Sequence, residues 1–140
     1  MKILLAVDGS AYTKRMLAYL GEHEELFGAN AEYEAVTVVV PVPPHVTSFI
    51  GKQNLNDYYE DEAKKVLKPV EAFAEKHQYK LTTLHRVGHA ADVIAKTATS
   101  GKFDLLIMGS HGHSSVGSLL LGSVTSRVMA QCETPTLIIR

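Results

Sequence analysis

The chain has 140 residues, of which 46% are hydrophobic and 21% charged, with a formal net charge of −1. That length suits one domain, residues 1–140, which buries roughly 70% of its extended-chain surface and needs no disulfide or metal to hold it. The charge balance excludes a general electrostatic pull toward nucleic acid or acidic membranes. The single cysteine, Cys132, excludes an intrachain disulfide and fits a reducing compartment.

The opening Met1-Lys2-Ile3-Leu4-Leu5-Ala6-Val7-Asp8 is too short and too soon acidic for a signal peptide, and no apolar run approaches the ~20 residues of a membrane span. The expected setting is the cytoplasm. Ile3 to Val7 is a wholly apolar strand. Ala11 to Phe27 reads as a helix, with Met16, Leu17, Leu20 and Phe27 in an apolar stripe, Ser10 placed to cap it and Gly28 placed to end it. Tyr33 to Val40 is a second strand, rich in β-branched residues. Pro41-Val42-Pro43-Pro44 stops it and opens a loop expected to reach about Leu55. Asn56 to His77 reads as a helix with Tyr59, Ala63, Val66, Leu67, Val70, Phe73 and Ala74 on one side, and Pro69 is expected to kink or divide it. Tyr79 to Val87 is a third strand, Gly88-His89 a turn, Ala90 to about Ser100 a helix, and Asp104 to Met108 a fourth strand. A glycine- and serine-rich segment follows, then a helix from Val124 to about Cys132 and a fifth strand, Thr136 to Ile139.

Such alternation implies one doubly wound α/β domain: a five-stranded parallel sheet with helices on both faces and right-handed crossovers. With the strand order 3-2-1-4-5, an inference from fold rules, the order reverses between the first and fourth strands. Ligands of open α/β sheets bind beyond the carboxyl ends of the strands at that reversal. The residues there are Asp8-Gly9-Ser10 and Gly109-Ser110-His111-Gly112. A glycine-rich turn lets backbone N–H groups converge on an anion, and the helix N-terminus at Gly122-Ser123 adds unpaired N–H groups. His111, His113 and Arg127 are the nearby cationic candidates. A phosphate cradle and a bland surface loop compete for this segment. It lacks the lysine of a P-loop, the first strand lacks a G-x-G, and neither Ser114 nor Ser115 completes a nucleophile elbow.

The spacing of Gly109, Gly112 and Gly122-Ser123 resembles the glycine motif of ATP-binding universal stress proteins. Ile3 to Ser10, Gly88 to Ile94, Leu119 to Thr125 and Thr134 to Ile139 are similar to other segments of that family, whereas residues 41–58 carry little of the likeness. The resemblance implies a Rossmann-like fold, usually a homodimer, with ATP, and magnesium as its possible companion, bound in some members. It implies a nucleotide site containing Asp8, with Gly112, Gly122 and Ser123 on the phosphates and Met108 and Gly109 near ribose and base. Ala6, His113 and Val124 complete the expected nucleotide-binding set, together with Pro41. Backbone groups just after the second strand bind adenine in such proteins, and the matching residue is Pro41, which keeps a carbonyl but has no N–H to offer.

Each feature has a plainer reading. Asp8 serves equally as a helix cap or turn former. His111 and His113 as a metal pair rest only on H-G-H, which is weak. Cys132 reads as a small, partly buried side chain, and Tyr58-Tyr59 as packing under the loop. The apolar fifth strand, at a sheet edge, is expected to pair with its copy in a homodimer through Thr136–Ile139, the plainer reading being a helix or loop that covers the edge. The function expected is nucleotide-dependent regulation of a protein partner during stress. The alternatives are a slow ATPase or adenylate-transfer enzyme, and a dimeric scaffold that binds no nucleotide.

Overall fold

The computed structural model describes residues 1–28, 30–114 and 118–140. Strands β1 (Lys2–Ala6), β2 (Glu32–Val39), β3 (Lys80–Val87), β4 (Leu105–Gly109) and β5 (Thr136–Ile139) form one parallel sheet in the order β3-β2-β1-β4-β5. This is the doubly wound sheet that the alternating pattern implies. Alternate residues of each strand face opposite sides. Ile3, Leu5, Tyr33 and Ile107 pack on one face against α1 (Ala11–Glu22) and α4 (Lys52–Lys76). Leu4, Val36, Leu106 and Met108 pack on the other against α5 (Ala90–Ser100) and α6 (Ser123–Gln131). Because β1 and β4 are covered on both faces, they carry no polar residue beyond the entering Lys2. Among the described residues, no helix is long and apolar enough to cross a membrane.

Three expectations need correction. The helix expected over 11–27 divides at His23, whose backbone leaves helical geometry, and the short α2 (Glu24–Phe27) follows. The His23 ring donates from Nδ1 to the Tyr19 carbonyl at 2.8 Å, which closes the end of α1 with a side chain. Gly28 does end the run, since a Cβ there would lie 2.4 Å from the Glu24 carbonyl oxygen. The expected loop at 41–55 is largely helical, forming α3 (Pro44–Ile50) and the first turn of α4, with Gly51 at φ +77° between them. Pro44 opens α3 in the first turn, where a missing N–H costs nothing.

Pro69 does not divide α4, which runs unbroken over its 25 residues. It lies on the exposed face, where the carbonyl one turn earlier is open to solvent, while Ala63, Leu67, Val70 and Ala74 anchor both halves to the sheet. Tyr59 on α4 accepts a hydrogen bond from the Val42 N–H at 2.9 Å, so this tyrosine packs under the chain that leaves β2.

Candidate functional site

β1 and β4 are neighbours in register, with Ala6 opposite Met108, and their carboxyl ends open into one crevice. The crevice leaves about 100 Å³ of open space. Its lining combines apolar side chains, among them Ala6, Val36, Val38, Ala90, Ile94 and Met108, with the polar Asp8, Tyr12, Thr13, His111 and Thr125.

The first turn is fixed by its own side chains. The Asp8 carboxylate Oδ1 accepts from the Ser10 N–H at 2.9 Å and from the Thr13 hydroxyl at 3.1 Å. Thr13 Oγ1 in turn accepts from the N–H groups of Asp8 and Gly9, at 3.1 and 3.2 Å. Ser10 is the N-cap of α1, as expected, and accepts from the Tyr12 N–H at 3.3 Å. Asp8 is therefore a turn former as well as a crevice residue. Gly9, at φ +75°, takes a backbone conformation that favours glycine.

The second turn is tied to the strands beside it. The Ser110 N–H donates to the Ile139 carbonyl at 2.7 Å, and the Gly122 N–H to the Ser110 carbonyl at 2.7 Å. Thr125, 2% exposed, donates its hydroxyl to the Gly109 carbonyl at 2.9 Å. These bonds dock the start of α6 on the end of β4. Gly122 is the N-cap of α6 with no side-chain cap, and the first turn of α6 holds no acidic residue. The leading N–H groups of α6, at Ser123 and Val124, keep their partial positive charge for an incoming anion.

The histidines stabilise the loop. His111 donates from Nε2 to the Leu119 carbonyl at 2.9 Å, which fixes its tautomer and leaves Nδ1 to accept from the Ser110 hydroxyl at 3.0 Å. Its ring lies 5.4 Å from that of Tyr12. His113 donates from Nε2 to the Asp8 carbonyl at 2.7 Å and so latches the glycine loop to the first turn. At Gly112 a Cβ would stand 2.6 Å from Asp8 Oδ2, so the two turns meet at a glycine because nothing larger fits. Among the described residues, no group of three or more histidine, cysteine or carboxylate side chains is placed to hold a metal ion.

Of the residues singled out in the sequence, Ala6, Asp8, Met108, Gly109, His111 and Val124 line the crevice. Gly112, His113, Gly122 and Ser123 are not among its lining residues; they lie in the loop and at the start of α6. Pro41 lies beyond the end of β2. The Val36 carbonyl accepts from the Val7 N–H at 3.0 Å and the Val39 carbonyl from the Gly88 N–H at 3.1 Å. Backbone groups of a parallel strand alternate sides, so Val38 turns its N–H and C=O toward the crevice, past the point where β1 has left the sheet. Val36, Val38, Tyr12, Thr13, Ala90, Ile94 and Thr125 were not singled out. The crossover rule alone signals Ala90, at the start of the helix that follows β3.

A nucleotide fits the chemistry of this crevice: apolar side chains suited to a base, and beside them the uncapped N–H groups at the start of α6. Asp8 is the carboxylate that lines it, so a magnesium ion would be held mainly by phosphate oxygens and water.

Comparison with known proteins agrees with this architecture. The model of the universal stress protein family matches residues 1–140. A universal stress protein of Thermus aquaticus is 34% identical over 99% of this chain and 97% of its own length. One of Synechocystis sp. is 31% identical over 99% of this chain, which spans 42% of that longer protein. Among solved structures, the universal stress protein UspA of Lactobacillus plantarum has a TM-score of 0.81 at 22% identity, covering 100% of this chain and 97% of its own. A universal stress protein in complex with cAMP has a TM-score of 0.71 at 23% identity, covering 100% of this chain and 97% of that one. The universal stress protein of Archaeoglobus fulgidus in complex with dAMP has a TM-score of 0.71 at 20% identity, covering 100% of this chain and 98% of that one. In sequence and in fold, the chain belongs to the universal stress protein family.

Proposed function

We propose that this chain is a nucleotide-binding regulatory protein of the stress response, with ATP as its ligand and the cytoplasm as its setting. The observation that carries the reading is the amphipathic crevice at the reversal of strand order, closed on its polar side by a glycine loop and an uncapped helix start. Relatives of the same fold solved with cAMP and dAMP support a nucleotide as the ligand class. In this reading adenine lies in the apolar slot against Ala6, Val36, Val38 and Met108. The Val38 backbone supplies donor and acceptor, and Pro41 contributes no more than its carbonyl. The phosphates run along Gly109 and Gly112 to Gly122, Ser123 and Val124. Asp8 borders the ribose, and His113 holds the loop in place. Magnesium accompanies the phosphates.

Regulation then follows from differential binding: the state in which both turns clasp ATP differs from the open state, and a partner protein reads the difference. Catalysis is not part of the reading. Phosphoryl transfer needs an aligned base and cationic stabilisation of the transferred group, and the described residues lining the crevice include no lysine or arginine. The chain acts as a homodimer through Thr136–Ile139, because β5, among the described residues, pairs only with β4 and stands at the sheet edge.

Calorimetric titration of nucleotide-stripped protein with ATP and magnesium tests the proposal. Saturable binding near one per chain, with GTP weaker, is expected. No heat at millimolar ATP would overturn it and favour the dimeric scaffold. For the dimer, Ile138→Lys is expected to give monomers in sedimentation velocity at concentrations where the parent is dimeric.

A further inference from the structure

A second concavity lies away from the crevice. On the face that carries α5 and α6, α5 packs on β2 and α6 and leaves the outer strand β3 at the margin. The trough between them measures about 530 Å³. Leu84 and Phe103 give it apolar walls, and Lys2, Glu34, Arg86 and Lys96 give it charge. None of those four forms an ion pair among the described residues. Lys2 is partly committed, donating to the Gly101 carbonyl at 2.9 Å with its ammonium 4.4 Å from the Phe103 ring centroid. Arg86, anchored by one bond to the His85 carbonyl, and Lys96 both reach solvent. Three cations thus face one carboxylate, in a chain whose overall charge is −1.

The same trough borders an open sheet edge. β3 pairs with β2 along all eight of its residues, and no described element pairs with its other side. Its unpaired N–H and C=O groups form a template about 26 Å long at ~3.3 Å per residue. Its sequence, KLTTLHRV, contains Lys80, His85 and Arg86 and no acidic residue. Like charges set opposite one another destabilise a strand pair, so this edge repels a second copy of itself. An acidic strand meets no such penalty.

We infer that the β3 edge and its trough form a docking site for an extended acidic segment of a partner protein, which adds a strand to the sheet. Backbone hydrogen bonds to β3 give affinity, and alternate carboxylates facing Arg86 and Lys96 give selectivity. This surface lies apart from the crevice, and the inference stands whichever ligand the crevice takes.

The test uses a fluorescein-labelled eight-residue peptide alternating valine and glutamate, with a valine–lysine peptide as control. Anisotropy is expected to show saturable binding of the acidic peptide alone, weakening with added salt. The Arg86→Glu/Lys96→Glu double variant, shown by circular dichroism to be folded, is expected to bind at least about tenfold more weakly, because two attractions become repulsions. Hydrogen exchange is expected to slow at β3 amides. Absence of binding, equal binding by the double variant, or protection confined to other strands would each overturn the inference. So would an eight-nucleotide RNA that binds these residues where the acidic peptide does not.

Discussion

Gly112→Ala is the sharpest probe of how the two turns meet. The new Cβ would stand 2.6 Å from Asp8 Oδ2, about 0.8 Å inside ordinary contact. The Asp8 carboxylate is pinned by the Ser10 N–H and the Thr13 hydroxyl, so it yields only by giving up those bonds. At ~0.5–1.5 kcal/mol for each bond, the substitution costs roughly 1–3 kcal/mol. Asp8→Ala removes the same two bonds and costs a similar amount. With the carboxylate gone, a Cβ at 112 has no neighbour within 4 Å among the described residues and adds almost no further cost. Urea unfolding of the parent, both single variants and the double variant closes a mutant cycle. The expected coupling is roughly 1–3 kcal/mol, with the double variant no less stable than Asp8→Ala. Additivity within ~0.5 kcal/mol would refute the contact, since independent sites add to that tolerance.

Gly122→Val puts a branched carbon 3.1 Å from the His111 Cα and 3.3 Å from the Ser110 carbonyl oxygen, both backbone atoms. ATP affinity measured by calorimetry is expected to fall more than about tenfold, as a backbone shift costs at least ~1.4 kcal/mol of binding, while circular dichroism stays native. Thr125→Val leaves the Gly109 carbonyl without its buried donor and is expected to lower unfolding free energy by ~1–3 kcal/mol in urea. Tyr33, 3% exposed, donates its hydroxyl to the Phe27 carbonyl, and burial, reinforced by Tyr79, pushes its pKa well above the ordinary tyrosine range. The folded pKa lies above the unfolded one. The stability it contributes is complete below about pH 10 and is lost as the unfolded chain ionises above that. Urea midpoints are expected to fall beyond that pH, and Tyr33→Phe to fall less steeply there.

The parts legible in the sequence were those governed by local pattern. The unbroken apolar runs Ile3 to Val7 and Leu105 to Met108 marked strands covered on both faces, and their small polar sequels marked the crevice. The prolines were misread because a breaker acts only in context. Pro44 stands where a helix needs no N–H, and Pro69 faces water while four buried side chains hold its helix to the sheet. His23 ended α1 through a side-chain bond that periodicity does not register. In the site, the glycines announced themselves by spacing. Val38, Ile94 and Thr125 did not, because each is an ordinary core residue in sequence and reaches the crevice only through register and crossover.

The central claim is where ATP sits, and an isotope-labelled protein titrated with ATP and magnesium while its backbone amide resonances are followed tests it most directly. The account predicts saturable shifts concentrated at Val38, Gly109, His111 and Ser123 to Thr125, with the β3 edge unmoved. Shifts confined to other parts of the fold, or none at millimolar ATP, would contradict it.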